Sequence, residues 1–159
     1  MKKFILQLVI LVVVIFVALM FATAKSPDIP FFPQQTQSSK LQMGNTLIDV
    51  EIADNTTKRK QGLGGRKSLA SDSGMLFIFD KPDRYTFWMK GLVFPLDMIW
   101  IRDDKVVDFI KNATPPSPDQ KDETLPIYAP NQPIDKVLEV NAGFVDINNI
   151  KIGDSIQLK

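Results

Sequence analysis

Past residue 40 the apolar residues come in short bursts, cut by Gly, Pro, Asp and Asn, and this punctuation is what most limits the fold. Thr46–Ala53 alternates, with Ile48, Val50 and Ile52 on one face and Asp49 and Glu51 on the other, as a half-buried strand should. Further strands are expected at Met75–Phe79, Tyr85–Met89, Leu96–Ile101, Val106–Ile110, Lys136–Val140 and Ser155–Leu158. Asp103-Asp104 reads as the turn of a hairpin between Leu96–Ile101 and Val106–Ile110. Thr56 or Thr57 can cap a short helix through Gln61, before Gly62, Gly64 and Gly65 break it, and Ala142–Asn149 can form a turn or two. No regular βα alternation exists. The expectation is a mainly β domain, a compact antiparallel barrel or sandwich of about seven short strands with one or two short helices.

Two segments stand apart. Residues 1–24 open with Lys2 and Lys3, then hold an unbroken apolar run from Leu8 to Ala22. Extended outward to Phe4 and Ala24, it makes a helix of about 31 Å, the thickness of a bilayer core. It reads as an N-terminal transmembrane helix, a signal anchor, or as a signal peptide cleaved after Ala24. Residues 25–40 form a Pro/Gln/Ser-rich linker, and residues 41–159 the single β-rich domain. On this reading the domain sits outside the cytoplasmic membrane. The expected location is single-pass with an extracytoplasmic domain, or else secreted or periplasmic. The second unusual segment, Asn112–Pro133, carries prolines at 115, 116, 118, 126, 130 and 133. A loop of that length in a small domain is often functional, as a lid or a packed strap.

Composition excludes much chemistry. There is no cysteine and no histidine, which removes disulfides, thiol catalysis, zinc sites built on either residue and any Ser-His-Asp triad. No metal and no cofactor is expected. Lys and Arg number 19 against 18 Asp and Glu, with no basic block, so nucleic acid is not an expected partner.

Several motifs occur in order. Arg59-x-x-Gly62-Leu63, Arg66-x-Ser68-Leu69 and Gly74-Met75-Leu76-Phe77-x-Phe79 are followed by Phe87-Trp88-Met89-Lys90 and Pro95-Leu96-Asp97. Val137-Leu138-Glu139, Ala142-Gly143 and Gly153-Asp154 close the series. Together they resemble the family of domain of unknown function 192, over roughly Leu47 to Leu158. Two positions depart from its usual pattern: Gly64, where the family has Met, and Gly91, where it has Asn. The resemblance implies a compact, mostly β fold, often behind an export signal, and implies no established activity.

The residues that invite a functional reading are charged groups set among apolar ones. Asp97 lies within VFPLDMIWI and Glu139 within VLEV, each on a strand with apolar neighbours. A carboxylate there must be bonded, paired or placed at an opening. Lys90 can reach either acid, and Arg59 and Arg66 can fork onto a carboxylate. These five either anchor loops or line one cleft. Trp88 and Trp100 are possible aromatic contacts for a sugar. The leading expectation is a non-catalytic binding or accessory domain for an envelope glycan, peptide or protein. The alternative is a small hydrolase that cuts envelope polysaccharide through Asp97 and Glu139 as paired carboxylates.

Overall fold

A computed structural model describes residues 38–159, together with the isolated Gln7. Seven strands form one sheet: β1 (Ser38–Met43), β2 (Thr46–Ala53), β3 (Ser73–Asp83), β4 (Leu96–Arg102), β5 (Lys105–Ala113), β6 (Ile134–Asn141) and β7 (Ile156–Leu158). Their order is β5-β4-β6-β3-β2-β1-β7. The sheet curls until its two edges meet. Lys105 bridges Ser155, and the Val106 N–H donates to the Asp154 carbonyl at 2.9 Å. The outcome is a small barrel-like sheet with two short helices, α1 (Thr56–Gln61) and α2 (Phe144–Ile147).

The apolar pattern explains why the sheet curls. Both of its faces are covered. Inside the curl pack Ile48, Val50 and Ile52 of β2, Leu76 of β3, Ile99 and Ile101 of β4, and Leu138 and Val140 of β6, with Phe144 and Val145 of α2. The outer face carries Met75, Phe77, Met98, Trp100 and Val137, under Leu63, Met89 and Leu92 from the loops. A strand covered on both sides reads as a continuous apolar run, and β4 is buried at six of its seven positions.

Local chemistry sets the joints. Asn55 caps α1, its side chain accepting the Lys58 N–H at 3.0 Å, so the cap falls one residue before the two threonines. The helix ends at Gly62, whose φ of +50° suits glycine. Asp103 and Asp104 both take positive φ and make the tight hairpin turn between β4 and β5.

The structure corrects the expected fold at three points. First, β2 and β3 run parallel, joined by the crossover that contains α1, so the sheet is not wholly antiparallel. Second, Tyr85–Met89 is not a strand; only Phe87 bridges, to Tyr128. The seventh strand is instead β1, which begins at Ser38, inside the stretch read as linker. Its polar start, Ser38 and Ser39, hides it from a pattern search. Third, the transmembrane helix expected over residues 4–24 falls, apart from Gln7, outside the described residues, as does most of the linker at 25–40. Among the described residues no helix is long and apolar enough to cross a membrane. The fold is therefore stated as the mainly β domain alone. The membrane partner and the single-pass localisation rested on that helix and have no support here.

Asn112–Pro133 is a packed strap. The Phe87 and Tyr128 backbones exchange hydrogen bonds at 2.8 Å in both directions. Leu125 is buried, Asn131 Nδ2 donates to Asp108 Oδ2 at 3.0 Å, and Asp122 pairs with Lys90.

Candidate functional site

Asp97 and Glu139 lie on neighbouring strands, and the register decides what they can do. Met98 stands opposite Glu139, and Asp97 opposite Val140. Side chains alternate across a strand, so Asp97 points into the curl with Ile99 while Glu139 points outward with Val137. The two carboxyls occupy opposite faces of the sheet. The paired-carboxylate arrangement is thereby corrected.

Asp97 is fully buried, and both its oxygens are used. Oδ1 accepts the Asn112 N–H at 2.9 Å and Oδ2 the Val145 N–H at 3.0 Å. Val145 is in the first turn of α2, whose Gly143 cap has no side chain to satisfy it. Asp97 supplies that cap from another strand, and pins Asn112, which has a φ of +55°. It is a fold anchor.

Glu139 differs. It is 4% exposed, and its carboxyl forms no hydrogen bond among the described residues. Burial pushes its pKa from 4.5 up to about 8, so it is mostly a neutral acid at pH 7. It lines a cleft of about 240 Å³, together with side chains from α1, the end of β3 and the Tyr85–Leu92 loop.

The cleft walls are aromatic. Phe79 stacks on Tyr85 with centroids 3.6 Å apart, and Phe87 sets its edge against Phe77 at 5.2 Å. Trp88, 53% exposed, also lines the cleft. The rim is cationic. Arg59 donates from Nη1 to the Ile78 carbonyl at 2.7 Å and lies over the Phe79 ring. Lys90 sits over Trp88 and pairs with Asp122 at 2.5 Å. Lys60, exposed on α1, completes the set.

Of the residues singled out from sequence, Arg59, Lys90, Glu139 and Trp88 come together here. Three do not. Asp97 is on the other face. Arg66 forks onto Glu51, with Nη1–Oε1 at 2.5 Å and Nη2–Oε2 at 2.7 Å, away from the cleft. That hydrogen bond holds the Glu51 carboxyl below its ordinary range. Trp100 is wholly buried against Phe87, so no ligand can stack on it. Lys90 reaches Asp122 rather than either expected acid. Sequence reasoning missed Lys60 and Phe79. Lys60 adjoins Arg59 on a helix too short to show a face, and Phe79 reads as one more strand residue.

Gly64 and Gly91, the two departures from the family pattern, abut here: a Cβ on Gly91 would meet Gly64 Cα at 3.8 Å. The Gly65 N–H donates to the Gly91 carbonyl at 2.8 Å and ties the two loops together. Among the described residues no group of acidic side chains is placed to hold a metal ion.

The geometry defines a small curled β domain with one aromatic-walled, cation-rimmed cleft around a buried carboxyl. Residues 37–158 match the model of the family described as Uncharacterized ACR, COG1430 (domain of unknown function 192), and the chain belongs to that family. A solved structure from Sinorhizobium meliloti 1021, named as a candidate transcription regulator, is 31% identical with a TM-score of 0.68. The match covers 76% of this chain and 93% of that one. A protein of unknown function from Novosphingobium aromaticivorans DSM 12444 is 28% identical, TM-score 0.66, over 76% of this chain and 83% of its own. No curated protein matches.

Proposed function

We propose that the cleft binds a small hydroxylated ring, a single sugar unit, with Glu139 as a neutral hydrogen-bond donor and Trp88 as the stacking face. One observation carries this reading: a buried carboxyl, unbonded, opening onto an aromatic-walled cleft. A carboxyl that has no protein partner and opens onto a cleft keeps its hydrogen-bonding capacity for a ligand. Aromatic faces take the apolar face of a sugar ring and leave its hydroxyls for polar groups. The volume, about 240 Å³, falls below the ~300–1,000 Å³ of pockets for drug-sized ligands, which suits one ring.

The test is ligand-observed NMR on the full chain with glucose, N-acetylglucosamine and glucuronate. Binding of at least one is expected, held in Glu139→Gln, which keeps a donor, and lost in Glu139→Ala. A panel that binds nowhere, or binds Glu139→Ala unchanged, overturns the reading.

A second reading has its own observation. A carboxyl with a pKa near 8 still holds its proton at neutral pH, as a general acid must. No second carboxylate lines the cleft among the described residues, so hydrolysis of a glycoside would use Glu139 alone. Its proton would go to the leaving oxygen, water would add to the anomeric carbon, and the water's spare proton would return to Glu139. Release of glucose from a methyl glucoside, whose alkoxide must be protonated to leave, abolished in Glu139→Gln while binding persists, would separate catalysis from binding. Transcriptional regulation, named for the S. meliloti relative, draws no support from a chain with 19 basic and 18 acidic residues and no basic block.

A further inference from the structure

We infer that the ligand of this cleft is an anion, a sugar acid whose oxyanion is held by Lys60 and Arg59 at the rim and by the carboxyl of Glu139 at the floor. The inference rests on the reading of the cleft as a sugar site and names the class of sugar.

The polar side chains around the cleft are unbalanced. Arg59, Lys60 and Lys90 are donors only, while Gln61 and the hydroxyls of Thr56, Tyr85 and Thr86 both donate and accept without charge. Glu139 is the one carboxyl in the lining, and as a neutral acid it donates too. A neutral sugar presents hydroxyls that donate as well as accept, and sites for it need acceptors to match. An ionised carboxylate or a phosphate accepts only. The cleft is rich in donors and poor in ionised acceptors, which complements an oxyanion.

The three cations are not equally committed. Lys90 is offset by Asp122. Arg59 has given one Nη to the Ile78 carbonyl, leaving its other N–H groups to donate. Lys60 has no ion-pair or hydrogen-bond partner among the described residues, so its charge is available. Charge-assisted hydrogen bonds from such groups to an oxyanion are roughly twice as strong as neutral ones.

The groups that surround Glu139 fix a second signature. Met75 of β3 and Met98 of β4 flank it on the sheet and do not titrate. The charged and titratable groups facing it across the cleft are Arg59, Lys60, Lys90 and Tyr85. Ionising Glu139 sets a negative charge against the bound anion. Affinity for the anion should fall as pH rises through about 8.

The experiment titrates the full chain by calorimetry with glucuronate, glucose 6-phosphate and glucose at matched ionic strength. Glucuronate, the carboxylate form, is expected to bind about tenfold or more tightly than glucose. The preference should shrink to within about threefold in Lys60→Gln and return in Lys60→Arg. Lys60 is exposed on α1, so its replacement leaves the fold intact. Glucose 6-phosphate binding tightest would support an anion site while moving its oxyanion source from carboxylate to phosphate. Glucose binding as tightly as glucuronate overturns the inference and leaves the sugar site standing. Failure of all three overturns the inference, and failure of N-acetylglucosamine as well overturns the sugar site. An anion preference unchanged in Lys60→Gln removes the anion from Lys60.

Discussion

Two carboxyl groups sit on neighbouring strands, Asp97 wholly buried and Glu139 nearly so, and the protein treats them in opposite ways. Asp97 faces the inside of the curl and accepts two backbone N–H groups at 2.9 and 3.0 Å. Glu139 faces the outer surface and accepts none among the described residues. The inner face is where the chain must close its own hydrogen bonds, since nothing else can enter. The outer face leaves one acid unbonded beneath aromatic rings and lysines. The unbonded acid marks the place for a guest, and the bonded one marks a joint of the fold.

The sharpest way to break this contrast is to remove the bonded partner. Asp97→Ala strands the N–H groups of Asn112 and Val145 inside the protein and frees the first turn of α2. A loss of about 3–5 kcal/mol is expected, the scale for removing one member of a buried charged network. Urea denaturation of the full chain measures it. A loss under about 1 kcal/mol would mean that Asp97 does not anchor the fold.

Glu139 should act through pH instead. In the unfolded chain it titrates near 4.5, in the fold near 8. Below the first value both states are protonated and nothing differs. Between the two values the folded state holds a proton that the unfolded state has released, so stability declines as pH rises, and it levels off above about 8. The full change is at most ~5 kcal/mol. Glu139→Gln, with no proton to lose, should flatten this slope and leave the chain more stable than its parent at alkaline pH. A wild-type profile equally flat through the window would show the carboxyl to be solvated. The contrast with Asp97 would then collapse.

How much of this was legible beforehand follows the same divide. The alternation at Ile48, Val50 and Ile52 and the unbroken run at Leu96–Ile101 report burial, and burial is what hydrophobic pattern encodes. Asp97 and Glu139 stood out because a charge inside such a run needs a reason. Which face each takes is fixed by the pairing of β4 with β6, across an intervening stretch of loop and strand, and no local pattern carries that register. Arg66 shows the same limit. Its fork was anticipated, but its partner, Glu51, lies on a strand that only the fold brings near. Ser38–Met43 was missed because its burial comes from neighbours on both sides rather than from its own composition.

The two tryptophans give the mildest test. Trp100 is wholly buried, a core residue on the face that carries Glu139. Trp88, on the cleft wall, is half exposed and contacts Lys90. A cation–π contact at an exposed position contributes about 0.5–1 kcal/mol. Trp88→Ala should therefore lower stability by no more than about that amount, against ~3–5 kcal/mol for Trp100→Ala. Ligand binding should follow the reverse order, lost in a folded Trp88→Ala and kept in the milder Trp100→Phe. Thermal melts and the sugar titration on these variants provide both readings. If Trp88→Ala binds as its parent does, the stacking face is wrongly placed, and Tyr85 or Phe79 takes that role. If it fails to bind while melting like its parent, the exposed ring serves the cleft rather than the core.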